Sequence, residues 1–228
     1  MSIMGARMIL DRAGTAIPEY NRACVHYNLV ADAIYRARET IDPFSAEYEP
    51  YIVAGLIVFD MERTMGAGDK YETSGTGFRA RLRAKMRGVR ERLEGVPLVC
   101  LHQIELASFH DRITEAYNCL AASGEGALHG DQVKRFHVGA TKILHWIAPA
   151  LFIMLDRNVA LAFRKHHRVE FANSTQPRYT AEKYFSCLKH ARDEIQAHGY
   201  ESFRRLEPDT PLARLFDKVA WVVGQTEV

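Results

Sequence analysis

The spacing of apolar residues between positions 78 and 93 constrains the fold of this chain more than any other feature. Phe78, Leu82, Met86, Val89 and Leu93 follow one another at intervals of four, four, three and four residues. This is the period of an α-helix with one apolar face, whereas a half-buried β-strand would alternate apolar and polar residues. The chain therefore contains an amphipathic helix that must pack against other elements.

Helical spacing recurs along most of the chain, and prolines and glycines mark where the segments end. The predicted helices cover residues 19–40, 47–63, 78–93, 98–122, 131–148, 156–166, 181–198 and 212–223. The range 47–63 is also compatible with a strand, because its centre is apolar throughout. Thr180 is placed as the N-cap of its helix, and Pro211 as the first position of the last one. We predict an all-α fold: a compact bundle of about eight helices, with a possible helix-hairpin-helix element.

Composition agrees with a folded globular protein. The chain has 228 residues, of which 47% are hydrophobic and 25% charged, so it can bury a sizeable core. This length fits a single domain over residues 1–228 or two intimately packed helical lobes. Thirty Lys and Arg against 28 Asp and Glu give a net charge of +2. Nucleic-acid binding would therefore have to depend on a local basic patch.

Cysteine spacing and hydropathy bear on location and metal content. Cys24, Cys100, Cys119 and Cys187 are far apart, which excludes a zinc ribbon or a four-cysteine iron–sulfur cluster. Together with the absence of HExxH, this predicts no metal site, and we predict no cofactor. The longest apolar runs, 51–59 and 143–155, are too short to span a bilayer. We expect a cytoplasmic protein with reduced thiols and no membrane contact.

Basic residues are concentrated on the predicted helix 78–93. They are Arg79, Arg81, Arg83, Lys85, Arg87, Arg90 and Arg92, opposed only by Glu91. A surface of this kind binds phosphate backbones by releasing counterions, and Arg79, Arg83 and Arg87 are candidate DNA contacts. A solvated helix face without a ligand explains the same pattern equally well.

A second candidate site begins at Gly139. We predict that Gly139 lies in a tight turn between helices, where its amide and that of Ala140 would bind a phosphate. An apolar run over 151–155 follows, and Asp156 then stands at the start of another helix. A carboxylate beside apolar residues is a candidate functional group. Asp is also a favoured N-cap, and on these residues alone the structural role is favoured.

The stretch from about 131 to 168 resembles the helix-hairpin-helix DNA glycosylases, and their adenine-specific mismatch branch most closely. Val138-Gly139 matches the end of the family's hairpin, and residues 152–159, FIMLDRNV, match the segment that carries its Asp. The resemblance implies that Asp156 supports cleavage of the N-glycosidic bond of a base flipped out of DNA. We also predict that Arg135 and Arg157 contact DNA. The family's Leu-Pro-Gly is replaced here by Arg135-Phe136-His137.

Family members that also cut the strand have a Lys just after the hairpin glycines. Thr141 stands at that place here, and Lys142 follows one residue later. One residue along a helix turns a side chain by about 100°. The resemblance therefore implies an enzyme that releases the base without cutting the strand, with Asp156, Thr141 and Lys142 as candidate catalytic residues.

Two other functions remain open from the sequence. The first is a non-catalytic all-α protein that binds DNA or another partner, in which Asp156 is a helix cap only. The second is a small-molecule enzyme with a pocket formed by His102, Glu105 and His110, two of which share a predicted helix face. The oligomeric state is not predicted.

Overall fold

The computed structural model describes residues 8–61, 77–122, 128, 136–171 and 179–226. Among them are ten α-helices and no strand, which confirms the all-α fold with two more helices than expected. They are α1 (Ala13–Ala23), α2 (Val25–Thr40), α3 (Glu49–Leu56), α4 (Phe78–Arg92), α5 (His110–Ala121), α6 (His137–Ile147), α7 (Arg157–His167), α8 (Ala181–His198), α9 (Tyr200–Arg204) and α10 (Leu212–Gln225). Three short 3-10 turns (9–12, 101–103 and 106–109) and a π-helical turn after α3 complete these parts of the chain.

Helix α4 follows the predicted apolar spacing. Phe78, Leu82, Met86 and Val89 are all buried, and the helix packs against α5. Burial of one stripe leaves the arginines on the remaining faces. The periodicity of the sequence therefore gave the correct element and the correct inner face.

Two further helices begin and end where their caps indicate. The hydroxyl of Thr180 accepts a hydrogen bond from the Lys183 amide at 3.2 Å, and Gly199 ends α8 with a φ of +89°. Helix α7 begins directly after Asp156. In both cases a short polar side chain satisfies an amide that the first helical turn leaves unpaired.

Two predicted helices were wrong in extent. The range 19–40 is divided at Cys24 into α1 and α2, and Pro18 lies inside α1 instead of preceding it. Burial of Ile17 and Tyr20 on either side of this proline offsets the hydrogen bond that it cannot donate. In the range 98–122, regular helix begins only at His110. The Leu101 amide donates instead to the Ala150 carbonyl at 2.9 Å, a tertiary bond that competes with helix formation.

Helix α10 is one of the most deeply buried parts of the described chain. It packs along α7 and α1, and nearly all of its residues are buried. Helix α5 contacts α4, α6 and α8, and the buried apolar side chains form one contiguous cluster. None of the described helices is both long enough and apolar enough to cross a lipid bilayer.

The approach of α10 to α7 gives a testable prediction. A Cβ added at Gly224 would lie 1.9 Å from the backbone oxygen of Asn158, and backbone cannot easily move aside. We expect Gly224→Ala to lower the free energy of unfolding by about 1–3 kcal/mol, measured by urea denaturation. The control is Gly14→Ala in α1, where no atom lies within 4 Å. That change should raise stability by about 0.5–1 kcal/mol; an equal effect of both changes would contradict the close approach.

Candidate functional site

A small cavity lies where α1, α6, α7 and α10 meet. Its volume is about 30 Å³, which is room for about two water molecules. The residues that line it are Tyr20, Tyr27, Phe59, Lys142, Met154, Asp156, Val159, Arg214, Asp217 and Trp221. Two acidic and two basic side chains thus share a space whose remaining wall consists of four aromatic rings and the side chains of Met154 and Val159.

The segment between α6 and α7 carries Asp156 to this cavity. Residues 151–155 are buried although they form no helix, so their main-chain groups need polar partners. Four side chains provide them. Two side chains donate to carbonyls of this segment: His145 Nδ1 to Phe152 at 2.5 Å and Tyr184 Oη to Ile153 at 2.9 Å. Two others accept from its amides. Both oxygens of Asp217 accept from Met154 at 3.0 Å, and Thr141 Oγ1 accepts from Leu155 at 3.0 Å. These bonds fix the path of the chain just before Asp156.

Asp156 is both a helix cap and a cavity residue. Its Oδ1 accepts the amide of Val159 at 3.0 Å, which confirms the predicted N-cap. The side chain is half-buried and lines the cavity. Capping therefore holds the carboxylate in place at the cavity wall, so the structural interpretation and the functional one are compatible.

Of the two candidates on α6, only Lys142 reaches the cavity wall. Thr141 is fully buried, donates to the Val138 carbonyl at 2.8 Å and accepts the Leu155 amide. Its hydroxyl is committed to the fold. Lys142 is also buried, and its Nζ donates to the Phe59 carbonyl at 2.6 Å. The one-residue step along the helix thus places Lys142, and not Thr141, in the wall of the cavity that Asp156 also lines.

The prediction that Gly139 and Ala140 lie in a turn between helices is wrong. Both residues lie near the start of α6. Both are buried. A Cβ at Gly139 would lie 2.1 Å from the ring of Phe136, so the glycine permits this ring to pack against the helix. Arg135 and the start of the expected hairpin, residues 131–135, lie outside the described residues.

The α4 arginines that were assigned to DNA divide into two that pair with Glu49 and one that is exposed. Arg79 Nε and Arg83 Nη1 both donate to the carboxylate of Glu49, the latter at 2.8 Å. Because Glu49 is only 3% exposed, these pairs hold α3 against α4 and account for two of the three α4 arginines that were assigned to DNA. Arg87 is exposed on α4, and Arg157 is exposed directly after Asp156.

The third interpretation, a pocket of His102, Glu105 and His110, is not supported by their positions. His102 lies in the turn 101–103, Glu105 directly precedes the turn 106–109, and His110 is the first residue of α5, so the three residues do not share one helix. His102 stacks on the ring of Tyr200 at 4.1 Å, and Glu105 lies 3.6 Å from Arg192. Among the described residues, no three His, Cys, Asp or Glu side chains come together as metal ligands would.

Sequence reasoning missed the contribution of α10. Arg214 is 3% exposed, its Nη2 donates to Tyr20 Oη at 2.6 Å, and its guanidinium carbon lies 4.8 Å from the centre of the Tyr20 ring. Asp217 is equally buried one turn further along. The available signal was the presence of charged residues, among them Arg214 and Asp217, in an otherwise largely apolar helix, since a buried charge needs a partner or a function.

Burial controls the ionisation of the polar groups behind the cavity. It raises the pKa of the Asp217 carboxyl well above its usual range. It lowers the pKa of His145 to about 3, so this ring is neutral near pH 7. Nδ1 of His145 donates to a carbonyl, and Nε2, 2.6 Å from Tyr35 Oη, accepts. His145 is therefore a structural donor and not a base.

The neutral His145 makes stability depend on pH. An unfolded chain binds a proton at this histidine near pH 6.5, whereas the folded chain does so only near pH 3. Between these values, stability is lost as the pH falls, by up to about 1.4 kcal/mol per pH unit. We expect His145→Gln to flatten the plot of unfolding free energy against pH in this window, measured by urea denaturation. The control, His26→Gln at an exposed position of α2, should keep the slope; an unchanged slope in His145→Gln would contradict a buried neutral ring.

Comparison of the chain with protein-family models, with curated proteins and with solved structures finds no match. The function must therefore be argued from the geometry of the cavity and from the local resemblance of residues 131–168.

Proposed function

We propose that this protein binds DNA and hydrolyses the N-glycosidic bond of a flipped-out base, as helix-hairpin-helix DNA glycosylases do, with Asp156 as the essential carboxylate. One observation carries the proposal. Asp156 at the start of α7 and Lys142 on α6 line the same cavity, and both belong to the segment that resembles the family. A carboxylate that served only as a cap would not need a buried lysine in the same cavity.

The chemistry requires a fixed negative charge near the sugar. As the bond from C1′ to the base nitrogen breaks, its electron pair leaves with the base and positive charge develops on the sugar ring. A carboxylate already held in position stabilises this charge without reorganising. Water then forms a bond to C1′, and one of its protons is taken up by the departing base. The Val159 amide and the bonds to residues 152–155 supply this rigidity for Asp156.

Aromatic rings in the cavity wall suit a planar base. Tyr27 stacks on Phe59 with ring centres 4.7 Å apart, and Tyr20 meets Trp221 edge-on at 5.2 Å. Such rings stack flipped bases in proteins that act on them. A base is larger than 30 Å³, and Tyr27 and Trp221 are the half-exposed rings. Binding of a base therefore requires the cavity to enlarge, and these two rings form the part of its wall that solvent reaches.

We propose that Lys142 is a binding cation and not the nucleophile. Its Nζ is held against the Phe59 carbonyl, and its charge lies in a cavity shared with the carboxylates of Asp156 and Asp217. Release of the base by water then leaves an abasic site in an uncut strand. The resemblance implies the same outcome, because Thr141 stands where strand-cutting members of the family have a lysine.

DNA binding is testable before any substrate is known. Fluorescence anisotropy is measured with a duplex that holds a tetrahydrofuran abasic analogue and with the intact duplex, in a salt series. We expect tighter binding to the analogue and weakening with salt. Equal affinity for both duplexes, or no binding at low salt, would contradict the proposal.

Arg157 provides a matched test of the binding surface. Because it is exposed and adjoins Asp156, we expect Arg157→Gln to reduce the slope of log K against log salt by about 0.9, the value for one phosphate contact. Arg83→Gln is the control, since Arg83 is paired with the buried Glu49. It should lower stability and leave the slope unchanged. The opposite pattern would place the DNA on α4 and away from the cavity.

A further inference from the structure

Arg214 carries a donor that the fold does not use. Its Nε is buried and has no hydrogen-bond partner among the described residues. Nη2, by contrast, donates to Tyr20 Oη and lies 3.4 Å from Asn28 Oδ1. Buried donors are nearly always paired, and an unpaired one keeps the full cost of its lost hydration. An unpaired charged donor in a cavity wall points to a ligand.

The position of this guanidinium fits a ligand inside the cavity. Its central carbon lies 4.8 Å from the ring centre of Tyr20 and 5.7 Å from that of Phe59, and both rings line the cavity. The two rings and the bond to Tyr20 leave the side chain little freedom. Arg214 is thus a rigid part of the wall that Asp156 and Lys142 also form.

The chemistry of the group restricts what it can bind. A guanidinium has five N–H donors and no acceptor, and it stays protonated in proteins. It therefore donates hydrogen bonds to the lone pair of an oxygen or nitrogen, and it cannot form a hydrogen bond with the N–H groups of an amine. Among bases, a keto oxygen on the inserted edge supplies such an acceptor, whereas an exocyclic amine places N–H against N–H.

We propose that Arg214 selects the base, and that the substrates are bases whose inserted edge carries a keto oxygen. This inference rests on the proposed function and specifies its substrate class. It differs from what the resemblance to the adenine-specific branch implies, because adenine carries an amine at the corresponding position. Tyr20 positions the guanidinium, and Arg214 contacts the base.

Two pairs of bases test the selection: hypoxanthine with adenine, and uracil with cytosine. Within each pair a keto oxygen replaces an amine, and the adjacent ring nitrogen carries a proton in the keto member and a lone pair in the amino member. Base release by the full chain is measured under single-turnover conditions from duplexes that are otherwise identical. We expect the keto member of at least one pair to be released about tenfold faster or more. Equal release, or faster release of the amino member, overturns the inference.

Variants connect the selection to Arg214. Arg214→Met removes every donor with little change in volume, and Arg214→Lys keeps the charge but lacks Nε. We expect both to bring the keto-to-amino ratio close to one, with Arg214→Lys retaining more activity. A ratio unchanged in Arg214→Met overturns the assignment. The matched control is Lys218→Met on the same helix, which is buried but does not line the cavity and should keep the ratio of the wild type.

A measurement on the unmodified protein does not depend on the folding of any variant. The rise in melting temperature is recorded with free hypoxanthine and with free adenine. A larger rise with hypoxanthine supports the inference, and an equal or larger rise with adenine overturns it. Loss of binding to abasic DNA would instead remove the proposed function, so the two failures are distinguishable.

Discussion

Asp156→Asn is expected to reduce base release by about 10²–10³-fold, the usual cost of removing one group that stabilises a charged transition state. The measurement is single-turnover release from duplexes that carry hypoxanthine, uracil, 8-oxoguanine or adenine. Asn caps a helix about as well as Asp, so the free energy of unfolding should change by less than about 0.5 kcal/mol. The variant therefore removes the charge and keeps the cap that holds α7.

Asp156→Ala provides the comparison. It removes both the charge and the cap, and it should cost about 0.5–2 kcal/mol of stability in addition to the activity. Together the two variants separate the roles that the structure gives to one side chain. Full activity of Asp156→Asn on every duplex that the wild type cleaves would contradict the proposed chemistry and leave Asp156 as a cap only.

The largest effect on stability is expected for Asp217→Ala. Both oxygens of Asp217 lie 3.0 Å from the Met154 amide, which has no access to water in a segment that is entirely buried. Truncation leaves this amide unpaired, opens a small void and removes a carboxylate near the buried Arg214. We expect a loss of about 2–4 kcal/mol in urea denaturation.

Asp217→Asn is the matched control for this change. Its amide oxygen still accepts the Met154 amide, so the loss of stability should be less than half that of Asp217→Ala. A change below about 0.5 kcal/mol in Asp217→Ala would show that Asp217 does not hold the segment before Asp156.

Local patterns in the sequence were sufficient for several of the regular elements. The apolar stripe of α4 and the caps at Asp156 and Thr180 each involve residues within a few positions of one another, and each prediction is confirmed. The break at Cys24 and the late start of α5 could not be predicted in this way. The Leu101 amide, for example, is bound by a carbonyl about fifty residues later in the chain.

The candidate site likewise combines residues that a local sequence pattern indicated with residues that only distant contacts bring together. Asp156 and Lys142 were found because the segment that carries them has a recognisable order of residues. Arg214 and Tyr20 meet across 194 positions, and no spacing in the sequence indicates this contact. Gly139 was assigned a turn because glycine is common in turns, whereas here the missing side chain admits the Phe136 ring. Whether Arg79 and Arg83 bind phosphate or protein depended on Glu49, thirty or more residues away.

One comparison of affinities tests the central claim, that Asp156 stabilises a positively charged sugar in this cavity. Two duplexes are used that differ only at the abasic position: one holds a cationic pyrrolidine in place of the sugar, and the other holds the neutral tetrahydrofuran. We expect the wild type to bind the cationic duplex at least about tenfold more tightly, because it resembles the transition state. Asp156→Asn should lose this preference while it still binds the neutral duplex. Equal affinity of the wild type for the two duplexes would contradict the claim.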